Sequence, residues 1–262
     1  LSGNSATYYG GGIYAGYNGT VELTNSTLSD NSANTYGGGI YASFNGTVEM
    51  TNSTLSGNSA SFGGGIFASS NSTVEVTNST VSDNSATYYG GGIYHPFGTI
   101  RMGNSIVADN SADYGGPNVR GSATSLGWNL IGNNQGFTFT PNAGDQVGTP
   151  AAPIDPRLGP LQDNGGPTWT HAPKGGSPAI DAGKDNPGGA PTGEDQRGYL
   201  RPVDISTVDN HPVGDAADIG AVEQIVEIDV KPGSDTNPVN LKSNGVIPIA
   251  ILTTDYFSAT DY

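Results

Sequence analysis

The sequence predicts an all-β protein, a right-handed parallel β-helix with about 26–27 residues per coil, followed by an irregular β-rich tail. The first observation is the pentapeptide Gly-Gly-Gly-Ile-Tyr, which recurs at steps of 27, 26 and 27 residues, the third copy ending in Phe. Its copies are Gly10–Tyr14, Gly37–Tyr41, Gly63–Phe67 and Gly90–Tyr94. Two further strings, Thr20–Leu28 and Asn-Ser-Ala, recur between these copies. A fixed period of this length, with short alternating apolar runs and no helical spacing, indicates stacked coils.

Stacked coils place equivalent residues above one another, about 4.8 Å apart, so each recurring position becomes a ladder. We expect two interior ladders, formed by Val21, Val48, Val74 and Ile100 and by Ile13, Ile40, Ile66 and Ile93. The glycine triplets are expected at tight corners that need positive φ or close backbone approach. A row of asparagines is expected at a second bend, where stacked amides can hydrogen-bond along the axis. These are Asn25, Asn52, Asn78 and Asn104.

Charge and composition exclude several classes of partner and site. Nine Lys plus Arg against 24 Asp plus Glu leave a formal net charge of −15, which opposes binding to nucleic acid or to an acidic membrane surface. The chain has no Cys, which excludes disulfides and thiolate chemistry. No apolar run reaches the length of a membrane span, so we expect no membrane insertion within this chain.

The repeats and the segments that follow them resemble two known families. Gly-Gly-Gly-Ile-Tyr alternating with an Asn-Ser-Thr stretch resembles the polymorphic outer-membrane-protein-like repeats of bacterial surface proteins. Five later strings, in the same order, look like the choice-of-anchor Q domain: Asn129–Gly132, Asp155–Thr168, Ser177–Gly183, Asp195–Gly198 and Asp218–Glu223. The resemblance implies a secreted or cell-surface solenoid, mostly without known catalysis. We therefore expect repeat coils over 1–118, and the last coil or coils with the choice-of-anchor Q-like tail over 119–225.

Residues 226–262 look like the start of a small β-domain of secreted bacterial and archaeal proteins. The strings Val226–Ser234 and Val246–Leu252 each predict one strand, and the sheet they start is expected to be incomplete. Its open edge could be completed by more of a parent chain or by a neighbouring molecule. We therefore expect self-association, either end to end or by strand completion, or a cell-surface glycan or protein as partner.

An outward aromatic column is the leading candidate for a binding surface. Tyr14, Tyr41, Phe67 and Tyr94 each follow an inward isoleucine and are expected to point outward. A second column, Tyr9, Tyr36, Phe62 and Tyr89, lies beside the glycines. Such rings could stack on sugars, contact another protein, or pack on each other as a ladder under partial cover.

Two sets of acidic residues are candidate calcium ligands, and no other cofactor is expected. Glu22, Glu49 and Glu75 should form a column that continues to Arg101. Carboxylates about 5 Å apart repel by about 1 kcal/mol, which favours a cation or a raised pKa, unless the side chains splay into solvent. The second set, Asp204, Asp209, Asp215 and Asp218, is close in sequence but lacks EF-hand spacing.

The combined features predict a non-catalytic, extracellular structural or adhesive protein, a rigid rod acting as surface adhesin, stalk or filament subunit. Threonine columns beside Glu22 leave ice binding as a minor alternative, which the hydrated carboxylates oppose. The contrasting readings are a polysaccharide lyase or hydrolase and a glycan-binding module. Repetition argues against catalysis, because a catalytic site needs a local break in symmetry. The irregular coil holds His95, Arg101, Asp109 and Asp113, which are expected at different points of the coil.

Overall fold

The computed structural model describes residues 1–205, 208–225, 228–229 and 250–251. Within these ranges the secondary structure is all-β, with strands, turns and bends and no helix. The first thirteen strands are β1 (Ser5–Ala6), β2 (Ile13–Ala15), β3 (Thr20–Thr24), β4 (Thr27–Ser29), β5 (Ser32–Ala33), β6 (Ile40–Ala42), β7 (Thr47–Thr51), β8 (Thr54–Ser56), β9 (Ser59–Phe62), β10 (Ile66–Ala68), β11 (Thr73–Thr77), β12 (Thr80–Ser82) and β13 (Ser85–Tyr89). The others are β14 (Ile93–Gly103), β15 (Ile106–Val107), β16 (Ser111–Ala112), β17 (Val119–Gly127), β18 (Leu130–Ile131), β19 (Phe137–Thr140), β20 (Gln146–Val147), β21 (Ile228–Asp229) and β22 (Ala250–Ile251).

Three parallel sheets run along the solenoid and form its faces. The first sheet has the order β1-β5-β9-β13-β16, and the third has the order β20-β18-β15-β12-β8-β4. The second sheet has the order β2-β6-β10-β14-β11-β7-β3, with β17 on β14 and β19 on β17. The long strand β14 joins two runs that a turn separates in the earlier coils. The expected β-helix of stacked coils is therefore confirmed.

The two expected interior ladders are confirmed by the register. Val21 pairs with Val48, Val48 with Val74 and Val74 with Ile100. Ile13, Ile40, Ile66 and Ile93 pair in the same way. Except at the first coil, these side chains are completely buried, and each contributes about 1.5–3 kcal/mol by leaving water.

The glycine triplets form the expected corners, and the first two glycines of each triplet are required there for different reasons. The first of each triplet has positive φ, between 61° and 69°. The second lies where coils approach closely: a Cβ on Gly38 would lie 2.4 Å from the carbonyl oxygens of Gly64 and Ser59. Side chains would therefore break the coil-to-coil hydrogen bonds at this corner.

The asparagine ladder runs through a different set of residues than expected. Asn25, Asn52, Asn78 and Asn104 do lie at a bend, with φ of 46–48°. Asn104 donates to Asn78 Oδ1 at 3.1 Å, but Asn52 donates to the Glu194 carbonyl and Asn78 to Asp185 Oδ1. The expectation of an axial amide ladder here holds only for the step from Asn104 to Asn78, because a later segment of the chain covers this bend and supplies other acceptors for the amides of Asn52 and Asn78.

A continuous ladder is formed instead by the asparagines of the Asn-Ser-Ala strings, followed by Asn118. Each side-chain Nδ2 donates to the next Oδ1, at 2.9 Å for the first four steps and 3.1 Å for the last. The members are Asn4, Asn31, Asn58, Asn84, Asn110 and Asn118. The ladder satisfies buried polar groups at the corner between the third and first sheets.

Residues 148–205 and 208–225, here called the tail, lie along the outside of the third sheet. Thr54 Oγ1 donates to Gln196 Oε1 at 2.6 Å, and the Ala221 N–H donates to Thr80 Oγ1 at 3.1 Å. Ser56 Oγ lies 2.8 Å from His171 Nε2. In the described part of the tail, regular pairing is limited to the isolated antiparallel bridges Leu158–Pro173, Gln162–Thr170 and Glu194–Leu200. The tail therefore lies beside the coils and buries the outward hydroxyls of the third sheet.

The expected β-domain over 226–262 lies mostly outside the described residues. Its described part is β21 and β22, which pair antiparallel through Ile228–Ile251 and Asp229–Ala250. Across the described ranges, no helix is long and apolar enough to cross a membrane.

Candidate binding surface

Aromatic side chains cover the outside of one half of the second sheet and the glycine corner beside it. We call this set the aromatic face. It consists of Tyr14, Tyr41, Phe67 and Tyr94 in one column, Tyr9, Tyr36, Phe62 and Tyr89 in a second, and Tyr8, Tyr88 and Tyr114 at the margin. Parallel pairing in register, Tyr14 with Tyr41 and Tyr41 with Phe67, positions the first column.

Rings of the first column stack face to face along the solenoid axis. The Tyr14 and Tyr41 centroids are 5.4 Å apart with an interplanar angle of 6°, and Tyr41 and Phe67 are 5.5 Å apart at 5°. Rings of the second column fit between them, with Tyr36 4.5 Å from Phe67. Because the faces of Tyr14, Tyr41 and Phe67 are turned toward each other, the column presents mainly ring edges to a partner.

The four expected binding residues differ in exposure. Tyr14 is 55% exposed, whereas Tyr41 and Tyr94 are half-buried. Phe67 is only 8% exposed, because the rings of Tyr36 and Tyr41 cover it. Phe67 was expected to be an outward contact like the other three residues, and its burial corrects that expectation. Burial raises the pKa of the Tyr41 and Tyr94 hydroxyls above its ordinary value.

The glutamate column is in register on the other half of the second sheet. Glu22 pairs with Glu49, Glu49 with Glu75, and Glu75 with Arg101. Arg101 Nε lies 3.2 Å from Glu75 Oε2, with both side chains about half exposed, so this ion pair contributes little stability. In the part of the chain that the structure describes, no three His, Asp or Glu side chains converge as ligands for a metal ion.

The second set of acidic candidates divides into exposed and buried members. Asp204, Asp209 and Asp215 are exposed, and Asp215 accepts hydrogen bonds from backbone N–H groups. Asp218 is only 1% exposed, and its carboxylate accepts the N–H of Asp181 at 2.8 Å. Asp218 therefore holds the tail together, and its role as a calcium ligand stays a prediction.

Buried charged residues connect the strings that suggested the choice-of-anchor Q resemblance. Arg201 Nε lies 2.9 Å from Glu223 Oε2, with both side chains fully buried. Asp195 pairs with Arg197 at 2.7 Å and accepts the Glu223 N–H at 3.0 Å. Burial raises the pKa of Glu223, while Arg201 acts in the opposite direction. These residues fold the tail on itself.

Residues of the irregular coil are separated, as expected. His95 points into the solenoid and is 2% exposed, with Nε2 2.9 Å from the Ser72 carbonyl. Arg101 lies on the outer surface of the same strand, and Asp109 at a corner with φ of 57°. Sequence reasoning did not predict that His171 and Gln196 anchor the tail to the coils, although Gln196 lies in the Asp195–Gly198 string.

Comparison with known proteins agrees with this architecture. A family model described as the right handed beta helix region matches residues 1–139, more than half of the chain. No curated protein and no solved structure matches the chain. The chain therefore belongs to the right-handed β-helix family.

Proposed function

We propose that the protein is a non-catalytic, extracellular adhesive rod whose coils are a rigid support and whose aromatic face is the binding surface. The observation that carries this proposal is the contiguous set of eleven rings, each centred within 6.5 Å of another. Large exposed aromatic patches mark interaction sites in soluble proteins. Tyrosine contributes contact area and a hydrogen-bonding hydroxyl at low conformational cost.

Rigidity of the scaffold supports a binding role for these rings. Each ring is held by neighbours in its own column and in the adjacent column, for example Tyr41 between Tyr14 and Phe67. A partner therefore does not have to order the surface on binding, which lowers the entropic cost of association. The third sheet contrasts with this face, because the tail already covers it.

Extracellular location is supported by composition and by resemblance. A net charge of −15 and many Ser, Thr and Asn side chains favour a solvated, non-aggregating surface. The repeats resemble those of bacterial surface proteins, and the fold needs no disulfide because its ladders are satisfied by packing and hydrogen bonds.

Attachment of protein-coated beads tests the proposal. Beads carrying the full chain are incubated with immobilised cell-surface glycans and proteins, and retention under flow is measured. The double variant Tyr14→Ser with Tyr41→Ser should lose at least about tenfold of the retention. Tyr17→Ser is the matched control, because Tyr17 is 68% exposed and stacks with Phe44 outside the aromatic face. Equal retention by all three proteins would refute the adhesive role of this face.

A polysaccharide hydrolase is the second candidate, and Asp109 is the reason. Asp109 is exposed at the surface, but desolvation of its carboxyl by the surrounding chain, with Asp83 and Asp155 adding to it, raises its pKa to about 6. Asp109 also lines a depression with Asn118 and Ile154. A carboxyl that keeps its proton to this pH suits general acid catalysis. Release of reducing ends from acidic polysaccharides, lost in Asp109→Asn, would replace the non-catalytic proposal.

A further inference from the structure

The first aromatic column changes character at Tyr94. The Tyr94 ring is turned by 81° relative to Phe67, whereas the preceding pairs are nearly parallel. On the next coil the residue in register with Tyr94 is Arg120. The stack of rings therefore ends at a ring that is followed by a cation, and the repeat symmetry of this face is broken here.

A difference in length between two neighbouring coils opens a depression at the same place. His95 pairs with Gly121 and Ile100 with Ala123, so five residue steps on β14 face only two on β17. Three residues of the longer coil thus have no counterpart on the shorter one. A depression of about 540 Å³ results, here called the Arg120 cleft. Its walls include Tyr94, Pro96, Arg120, Ser122, Phe137 and Thr138.

Arg120 is held in place without being neutralised. Its guanidinium lies 5.0 Å from the centroid of the Tyr89 ring. A Cβ on Gly136 would come within 2.8 Å of Arg120 Nη1, so the glycine leaves room for the guanidinium. Arg101, Arg197 and Arg201 each have a carboxylate partner within 4 Å, but none of the described residues provides one for Arg120.

We propose that the Arg120 cleft binds a carboxylate-bearing sugar residue of an acidic polysaccharide. The planar guanidinium offers two parallel N–H donors, which match a carboxylate bidentately. The Tyr94 ring and Pro96 supply apolar surface for the sugar ring. Ser122 and Thr138 are exposed on the same side and supply hydroxyls for those of the sugar. This inference rests on the proposed adhesive function and specifies its ligand class.

The overall negative charge of the chain limits how an acidic polysaccharide can bind to it. A net charge of −15 repels polyanions, so non-specific attraction does not hold an acidic chain on this protein. Binding of such a chain requires a particular cation in a shaped site. The Arg120 cleft adjoins the aromatic face through Tyr94, so a polymer seated in it also passes over tyrosine rings.

Titration of the full chain with fluorescent oligogalacturonate and oligoalginate, against a neutral glucose oligomer of equal length, tests the inference. The wild-type protein should bind at least one acidic probe at least about tenfold more tightly than the neutral one. Arg120→Gln should weaken this binding at least about tenfold, in line with loss of a charge-assisted bidentate pair. Gly136→Ala should weaken it as well, because the methyl group displaces the guanidinium.

Arg101→Gln is the matched control, since Arg101 is an arginine on the same sheet but paired with Glu75 and outside the cleft. It should keep affinity within about twofold, and circular dichroism should show an unchanged fold for all variants. Equal loss in both arginine variants, unchanged binding in Arg120→Gln, or failure of both acidic probes would overturn the inference. In the last two cases, bead retention that depends on Tyr14 and Tyr41 would leave the adhesive proposal standing.

Discussion

Replacing Asn58 by alanine should remove a large part of the stability of the solenoid. Its Oδ1 accepts the backbone N–H and the side-chain amide of Asn31, at 3.0 and 2.9 Å. Its Nδ2 lies 2.9 Å from Asn84 Oδ1 and 3.1 Å from the carbonyl oxygens of Leu28 and Ser56. The side chain is completely buried, so no water replaces these partners.

The expected loss can be worked out from these contacts. An amide carries two N–H donors, so the three Nδ2 contacts amount to about two full hydrogen bonds, and Oδ1 accepts two more. Four hydrogen bonds at about 1 kcal/mol each predict a loss of about 4 kcal/mol. Asn34→Ala is the matched control, because Asn34 is an exposed asparagine directly after β5. Its replacement should lower the free energy of unfolding by less than about 0.5 kcal/mol.

Urea unfolding followed by circular dichroism measures both values through linear extrapolation. A loss in Asn58→Ala within about 1 kcal/mol of that in Asn34→Ala would refute the assignment of the buried amides as a stabilising ladder. Thermal unfolding of both variants checks the ranking independently, because a difference of this size shifts the midpoint by several degrees.

Three other predictions concern the corner and the tail. Gly38→Ala should cost about 3 kcal/mol in urea unfolding, because its methyl group would lie 2.4 Å from two carbonyl oxygens; a near-neutral result contradicts the close approach. Burial raises the pKa of Asp181 to about 7, so stability is highest below pH 4 for this group and falls as pH rises through 7. Asp181→Asn should reduce this fall of the thermal unfolding temperature with rising pH. An unchanged pH dependence in the variant would contradict the prediction. Thr54→Val should speed proteolysis of the tail severalfold, since its hydrogen bond to Gln196 is lost, and unchanged cleavage would oppose this.

The coils were predictable because every coil repeats the same local information. Val48 and Val74 occupy the same place in strings of the same length, and parallel stacking brings such residues into register. A slip of one residue would turn these side chains to the outside, so the buried face determines the register. The positions of the ladders, the strand runs and the glycine corner all follow from this.

The tail contacts could not be predicted in the same way. Thr54 and Gln196 are 142 residues apart, and neither belongs to a pattern shared by the other. Their hydrogen bond depends on how the whole tail packs against the third sheet. Asn52 and Asn78 were assigned to an axial ladder because the coils alone suggest it, and the tail then redirected their amides.

The end of the aromatic column at Arg120 can be recognised in the sequence itself. Counting 26 residues from Gly90–Tyr94 reaches Gly116–Arg120, which keeps only the first glycine and has Val119 in place of Ile and Arg120 in place of Tyr. The turn of the Tyr94 ring could not be read in this way, because it depends on contacts with Phe67 and Phe62 after folding. The burial of Phe67 is likewise a property of neighbouring columns.

Attachment of the tail to successive coils changes how the solenoid is expected to respond to force and heat. Isolated repeats of this kind lose stability one unit at a time, since each unit contacts only its neighbours. Here the tail bonds to Thr27, Thr54, Thr80 and Asn104, which belong to four different coils. Fraying of one coil therefore strains bonds to the other three, so the rod resists peeling from an end and unfolds as one cooperative unit.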